Sequence, residues 1–296
     1  MQSVYSILIL SLVFLAFPDS SRDEIEKLKY HVNSPEACNL TKDLTEISGL
    51  TFDTEKNCFY AINDEEGLIF SIHQESCESQ ILINFKKKGD FEGIELVDKH
   101  IYVLESKGNL HRYNIEKTEI TVEYKTDLGE HNNSEGLGLD LKTNSLLIAC
   151  KDDDSLDKKR SDKNVHAIYR FDLGTQELVI EPWMLIRDDA LLAYYESTLT
   201  YFKWLRSKLA EDRLYSFAPS AVAINPIDDL VYVLSSRGKM LVAMTRDQQV
   251  EHIYYLDDGA YIQPEGITFD SQGNMYISNE GKGYHGNILK IVNKKG

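Results

Sequence analysis

The sequence predicts an all-β fold, a five-bladed β-propeller, and three observations predict it. One short phrase recurs five times, its recurrences keep a near-constant interval, and the same strand–turn–strand rhythm follows each. The phrase is an acidic or hydroxyl residue, a small residue, then alternating apolar positions. It stands at Ser48-Gly49-Leu50, Glu92-Gly93-Ile94, Glu135-Gly136-Leu137, Ser220-Ala221-Val222 and Glu265-Gly266-Ile267. The small residues are separated by 44, 43, 85 and 45 positions. A period near 44 built from short strands is propeller spacing.

Each element follows from the local sequence. Residues 29–47 precede the first phrase, and are expected to supply an outer strand that closes the ring beside the last blade. Turns rich in Asp, Asn and Gly follow the phrase at 53–57, 140–144, 225–229 and 270–274, as tight hairpins require. Second strands are predicted at 59–63, 101–105, 146–150, 231–235 and 275–279. Third strands are predicted at 68–72, 110–115, 167–173, 240–245 and 287–292. The glycine of the phrase suits innermost strands whose backbones crowd the axis. Ala221 at that place in blade four argues for packing rather than a special dihedral. The interval of 85 holds residues 188–213, which contain no Gly or Pro. Leu191, Leu192, Tyr195, Leu199, Phe202, Leu205 and Leu209 recur there at helical spacing. One α-helix inserted between blades three and four is the reading. A sixth blade is the alternative.

The chain has 296 residues, a net charge of −16 and a pI near 4.9. Such a surface repels phosphate backbones and anionic lipid, which argues against nucleic acid and for cations or basic partners. Residues 7–17 form a continuous apolar run, too short to span a bilayer as a helix but matching a signal-peptide core. MQSVYS before it carries no basic residue, and no clean small-x-small cleavage site follows. Residues 1–21 are read as a signal peptide or N-terminal anchor, and 29–296 as the propeller. The expectation is export to the periplasm, cell envelope or exterior, as a monomer, with no membrane span beyond the N-terminal segment. Cys38, Cys58, Cys77 and Cys150 have spacings that match no zinc pattern. A disulfide among the first three is compatible with export, and Cys150, inside an apolar strand, reads as a buried thiol.

On these phrases the chain resembles the SdiA-regulated family of bacterial propellers. The resemblance rests on EISGLTFD (46–53), FEGIELV (91–97), SEGLGLD (134–140), APSAVAINP (218–226) and QPEGITFDSQGNMYISNEG (263–281). It covers about residues 44–292, and the last segment is the most specific. It implies a five-bladed propeller, distantly akin to NHL-repeat proteins, with a calcium-binding site and no established enzymatic activity. Ala221-Val222 departs from the usual Gly-Ile or Gly-Leu and puts only local packing in doubt.

In a propeller the starts of the first strands and the loops after the second strands share one face. The first ring at that mouth is Ser48, Glu92, Glu135, Ser220 and Glu265. The second is Asp64 and Glu65, Glu105, Asp152, Ser235 and Ser236, and Glu280. Three glutamates around one narrow axis must take up protons or a cation. Oxygen donors in irregular geometry suit calcium first and magnesium second, and the lack of His in either ring disfavours zinc and copper. The expected metal ligands are Glu92, Glu135, Glu265, Asp64 and Glu280. Ser48, Glu105, Lys151, Asp152, Ser220, Ser235 and Arg237 line the mouth. Lys151 and Arg237 either bind an anionic group or pair with neighbouring acids. A water-filled channel whose glutamates bond to backbone is the metal-free alternative. His73, His100, His111, His131, His166, His252 and His285 read as ordinary surface or half-buried residues. No G-x-S-x-G, P-loop or H-E-x-x-H motif occurs. No catalytic residue is therefore assigned. The function read is a calcium-binding propeller that recognises a small ligand or protein at its mouth. The alternative is a metal-dependent hydrolase of a lactone, ester or phosphoester. The charged run 151–163 is expected to be a solvated loop, Lys86-Lys87-Lys88 a surface patch, and the helix a cap.

Overall fold

A computed structural model describes residues 29–85, 88–117, 119–198 and 212–294. Among them are five four-stranded antiparallel sheets. Blade one runs β2 (Ile47–Asp53), β3 (Cys58–Asn63), β4 (Leu68–His73), β5 (Ser79–Asn84). Blade two runs β6 (Phe91–Val97), β7 (His100–Glu105), β8 (Leu110–Asn114), β9 (Glu119–Tyr124). Blade three runs β10 (Ser134–Asp140), β11 (Ser145–Cys150), β12 (Val165–Asp172), β13 (Glu177–Arg187). Blade four runs β14 (Pro219–Ile224), β15 (Val231–Ser235), β16 (Met240–Met244), β17 (Val250–Tyr255). Blade five holds β18 (Pro264–Phe269), β19 (Met275–Asn279), β20 (Asn287–Ile291) and, from the start of the chain, β1 (Glu36–Asn39). Each first strand touches the first strands of the blades on either side, β18 meeting β2, so the five close a ring.

Blades stack face to face, which buries both faces of their middle strands. Every residue of β3, β11, β15, β16 and β19 is buried, and their sequences read as near-unbroken apolar runs. The outermost strand β5 is largely exposed, whereas β17 is mostly half-buried with Ile253 and Tyr254 buried. The fourth strands β5, β9, β13 and β17 are the elements the sequence pattern does not mark. Near the axis the crowding is as expected. A Cβ on Gly136 would stand 2.8 Å from Ala221 Cα, and one on Gly266 2.8 Å from the Leu50 nitrogen. At the far face, Asp53 Oδ1 accepts from the nitrogens of Glu55 and Lys56, and Asp270 Oδ1 from those of Gln272 and Asn274. These are the side-chain turns that make Asp favourable there.

Ring closure uses the N-terminal segment, as expected. β1 pairs with β20 in the register Cys38↔Ile288. Cys38 is disulfide-bonded to Cys77, in the turn between β4 and β5. The closing strand is thereby tied to blade one as well as blade five. Cys58 and Cys150 are free and buried, and burial pushes the Cys150 thiol up to about 12. Tyr30 is fully buried, donates to the Gly273 carbonyl at 2.6 Å and packs edge-on to Tyr232. Tyr261 donates to the Val32 carbonyl at 2.6 Å.

A helix, α1 (Asp188–Thr198), lies between β13 and β14, the strands that end blade three and begin blade four. It rests on β13 and β17 and so covers the outer edge of those blades. Leu191 and Tyr195 are buried there, and Leu192 is partly buried. Leu199, Phe202, Leu205 and Leu209 lie outside the described residues, as do residues 1–21 and Lys86-Lys87. The loop 151–163 is tied down more than its charge suggests. Asn132 Nδ2 donates to the carbonyls of Asp153 and Ser155 at 2.9 Å, and Tyr169 donates to that of Asp154 at 2.8 Å. No helix among the described residues is long and apolar enough to cross a membrane.

Candidate functional site

The site begins with a backbone irregularity shared by all five blades. At the start of each first strand the register with the second strand shifts: Ile47/Leu50, Phe91/Gly93, Ser134/Gly136, Pro219/Ala221 and Pro264/Gly266. The residues inside these bulges include Ser48, Glu92, Glu135, Ser220 and Glu265. A β-bulge leaves its extra residue unpaired and re-aims its side chain. Five repeats of one bulge therefore present the first ring that the sequence predicts.

The members of that ring then divide. Ser48 Oγ donates to the Glu92 carbonyl at 2.8 Å, and Ser220 Oγ to the Pro264 carbonyl at 3.0 Å. Both serines thus bond to the backbone of the next blade. The glutamate carboxyls face one another and Lys151, the residue just after β11, with Ser48 Oγ also 3.4 Å from Glu92 Oε2. Lys151 Nζ lies 2.8 Å from Glu135 Oε1, and both side chains are largely buried. Burial, then Glu135, Asp90 and Glu265, push the Glu92 carboxyl to about 9 against the pull of Lys151. Burial and Glu135 push Glu265 to about 7, against Lys151, Gln263 and Ser236. Burial raises Glu135 too, although Lys151 draws it down. Burial opposes the charge on Lys151, but Glu135, Glu265 and Glu92 hold the ammonium above its ordinary value.

Asp64 and Glu280 form a second group at the rim. Burial and the charges of Glu46, Glu65 and Glu280 push Asp64 to about 6, and Asp64 Oδ1 is buried without a hydrogen-bond partner. Burial and Glu46 raise Glu280, while Lys282 and Lys151 draw it down. Gln263 joins the two groups, since its amide bonds both to Glu280 Oε2 and to Glu265.

Other predicted mouth residues have different work. Glu105 is buried, 3.0 Å from His111 Nε2 and 2.9 Å from Lys107 Nζ. Ser235 Oγ accepts from the nitrogens of Ala218 and Gly238, which holds its loop. Asp152 is exposed and accepts from Asn133 Nδ2 at 3.0 Å. Arg237 is exposed. Two histidines depart from the expectation of ordinary surface or half-buried residues, because His111 and His166 are buried. His166 Nδ1 lies 3.2 Å from the Lys151 carbonyl, and its Nε2 3.9 Å from Asp188 Oδ1.

Sequence reasoning did not single out Glu46, Asp90, Gln263 or Glu95. Glu95 accepts from Thr51 Oγ1 at 2.5 Å and from the Leu96 nitrogen at 2.9 Å, and burial pushes it to about 7. Its signal was available: it is the one charged residue at a phrase position that elsewhere holds Thr51, Gly138, Ala223 and Thr268.

Calcium is the ion implied by the family resemblance, and the donor set suits it in kind. All the donors are oxygens, burial raises the carboxyls of Glu92, Glu265 and Glu135 above their ordinary range, and Asp64 Oδ1 lacks a partner. The present arrangement is not yet a cage. Among the described residues no three Asp, Glu, His or Cys side chains stand close enough together to share an ion. A cavity of about 280 Å³ lies elsewhere, between α1 and the β16–β17 hairpin, lined by Ala190, Met244 and Val250.

A family model described as SdiA-regulated matches residues 180–284. The resemblance to the SdiA-regulated family holds. That span takes in blade four and two of the four strands of blade five, β18 and β19, with Ser220, Glu265 and Glu280. No curated protein matches the chain. Solved structures that are similar include a luciferin-regenerating enzyme, at 10% identity and a TM-score of 0.48, covering 88% of this chain and 95% of that one. A PQQ-bound aldose sugar dehydrogenase from Streptomyces coelicolor is similar at 10% identity and a TM-score of 0.49, covering 88% and 99%. A calcium-binding protein, regucalcin, from Agrobacterium tumefaciens is similar at 11% identity and a TM-score of 0.48, covering 83% and 90%. None of these likenesses bears on chemistry.

Proposed function

We propose that this propeller is an exported recognition module whose channel mouth takes a cation, calcium first, and through it a small ligand or a protein. The observation that carries the reading is the excess of carboxyls over bases at the mouth: the buried Glu135 and the half-buried Glu92 and Glu265 share one lysine. A cation entering such a place would offset the burial and mutual repulsion that raise Glu92 and Glu265. Glu92, Glu135 and Glu265 would hold it, with Asp64 and Glu280 at the rim. Bound there, the ion would neutralise the mouth and offer an acceptor position to a ligand oxygen. The Cys38–Cys77 bridge supports export, because disulfides persist in oxidising compartments. The hydrolase alternative needs a base open to the mouth, whereas the buried His166 is engaged with the Lys151 carbonyl and lies beside Asp188.

The test is the thermal midpoint of the chelator-treated protein, titrated with Ca²⁺ and separately with Mg²⁺. Binding to the native state alone raises the midpoint as the ion exceeds its dissociation constant. The reading expects a calcium-favouring rise that is lost in a Glu92→Gln, Glu265→Gln variant. A midpoint unmoved by either ion would remove the cation and leave recognition to other surfaces.

A further inference from the structure

We infer that the cavity between α1 and the β16–β17 hairpin is a second ligand site, separate from the mouth, that takes a small apolar α-amino acid. The inference does not depend on the cation reading above. The cavity lies at the outer edge of blades three and four and holds about 280 Å³. That is just under the roughly 300–1,000 Å³ of pockets that take drug-sized ligands, so its occupant is small.

The floor is apolar and fixed in advance. Ile186, Leu191 and Met244 line it and are themselves buried, with Val250 half-buried beside them. All four belong to or pack against the core that joins the two blades. The walls are tied to each other as well. Gln248, in the hairpin turn, reaches across to β13: its Oε1 accepts from the Leu185 nitrogen at 3.3 Å, and its Nε2 donates to the Trp183 carbonyl at 3.4 Å. Its backbone is left-handed, with φ 65, a conformation that glycine adopts more readily. A glycine there could not make the bridge.

The rim supplies both charges. Arg187 ends β13 and Asp247 stands in the hairpin turn, and both are exposed where they line the cavity. Among the described residues neither side chain makes a hydrogen bond or an ion pair. A cation and an anion that face one cavity without pairing to each other suit a ligand that carries both charges. A guanidinium takes a carboxylate bidentately, and the Asp247 carboxylate accepts from an ammonium. An α-amino acid carries the two groups on one carbon and can turn its side chain to the floor. Aliphatic side chains and that of methionine suit this floor, whereas a charged one would be desolvated there without a partner.

Calorimetric titration of L-leucine into the intact chain tests this. The comparison ligands are alanine, isocaproate (which lacks the ammonium) and isoamylamine (which lacks the carboxylate). Leucine should bind, and alanine at least about tenfold more weakly, because each buried methylene is worth roughly fourfold. Each single-charge analogue should also be at least about tenfold weaker than leucine. Arg187→Gln and Asp247→Asn replace exposed, unbonded side chains, so the fold stays intact, and each should weaken leucine binding by at least about tenfold. The affinity should be the same in chelator and in saturating Ca²⁺. No heat at millimolar leucine overturns the inference. So does leucine bound equally by the wild type and both variants, or an analogue bound as tightly as leucine. Binding that needs calcium would place the ligand at the mouth and overturn it too.

Discussion

Arg246 links blades three and four through a largely buried pair with Asp140, and its removal should destabilise the ring. At the face opposite the mouth, Arg246 donates from Nη1 and Nη2 to the two oxygens of Asp140, at 2.8 and 2.9 Å. It also reaches Asp229 through Nε and Nη2, both at 3.0 Å. The Asp140 side chain is fully buried and Arg246 is mostly so. Burial alone pushes the Asp140 carboxyl up, but the bonds from Arg246 and Thr143 together bring it below its usual range. In Arg246→Met the carboxylate keeps Thr143 Oγ1 at 2.7 Å and the Lys142 nitrogen at 3.1 Å, but loses its counter-charge. Breaking a buried pair costs about 3–5 kcal/mol. The two remaining bonds place the loss near the lower end, about 3 kcal/mol. The cation–π contact with Trp183 adds about 0.5 kcal/mol at such a site. For a chain of this size each kcal/mol lowers the midpoint by roughly 2 °C, so a fall of about 7 °C is expected at pH 7 by scanning calorimetry. The pH dependence follows from the sign. Asp140 is depressed in the native wild type, so its contribution is present above the ordinary carboxylate pKa and is lost as pH falls. The deficit of the variant should shrink towards pH 4. A fall of less than 2 °C at pH 7, or a deficit that grows on acidification, would refute the reasoning.

Two further outcomes follow from the ring and the mouth. The Cys38–Cys77 bridge closes a loop of sequence separation 39, worth on the order of 3–4 kcal/mol by loop entropy; Cys38→Ser with Cys77→Ser should lower the urea midpoint and, by freeing the unfolded chain, raise the slope rather than lower it, and an unchanged midpoint would show that β1 needs no staple. Glu92 has a native pKa raised to about 9 by burial and by Glu135, Asp90 and Glu265, so the folded state holds a proton that the unfolded chain gives up and stability falls as pH rises from about 5 to 9. Glu92→Gln should flatten that fall and raise the midpoint at pH 8.5, and parallel curves for the two proteins would count against a protonated Glu92.

The propeller was legible because its repeat is carried by backbone needs. Gly49, Gly93, Gly136 and Gly266 mark places where a Cβ would strike the next blade, so they keep the period through a divergent sequence. The outermost strand β5 was not legible, because it is largely exposed and needs little alternation; β17 was missed although Ile253 and Tyr254 are buried, because they are adjacent residues and break the alternation. At the mouth, position was readable and direction was not. Ser48 and Glu92 occupy the same step of the phrase, yet one bonds backbone and the other faces charge. Glu105 looked like a member of the rim, but its partner His111 lies on β8, and no pattern within β7 reveals that pairing. Asp64 and Glu280 gather with Glu46 through ring closure, a contact between the two ends of the chain that spacing cannot show.

The central claim is that the mouth carries acids held protonated until a cation replaces the proton. Its most direct test is calorimetry of Ca²⁺ binding to the wild-type chain at pH 8, in two buffers of different ionisation heat. Binding that replaces protons makes the apparent heat depend on the buffer. The account predicts release of about one proton per calcium ion, chiefly from Glu92 with its pKa near 9. Calcium binding with the same heat in both buffers would contradict it.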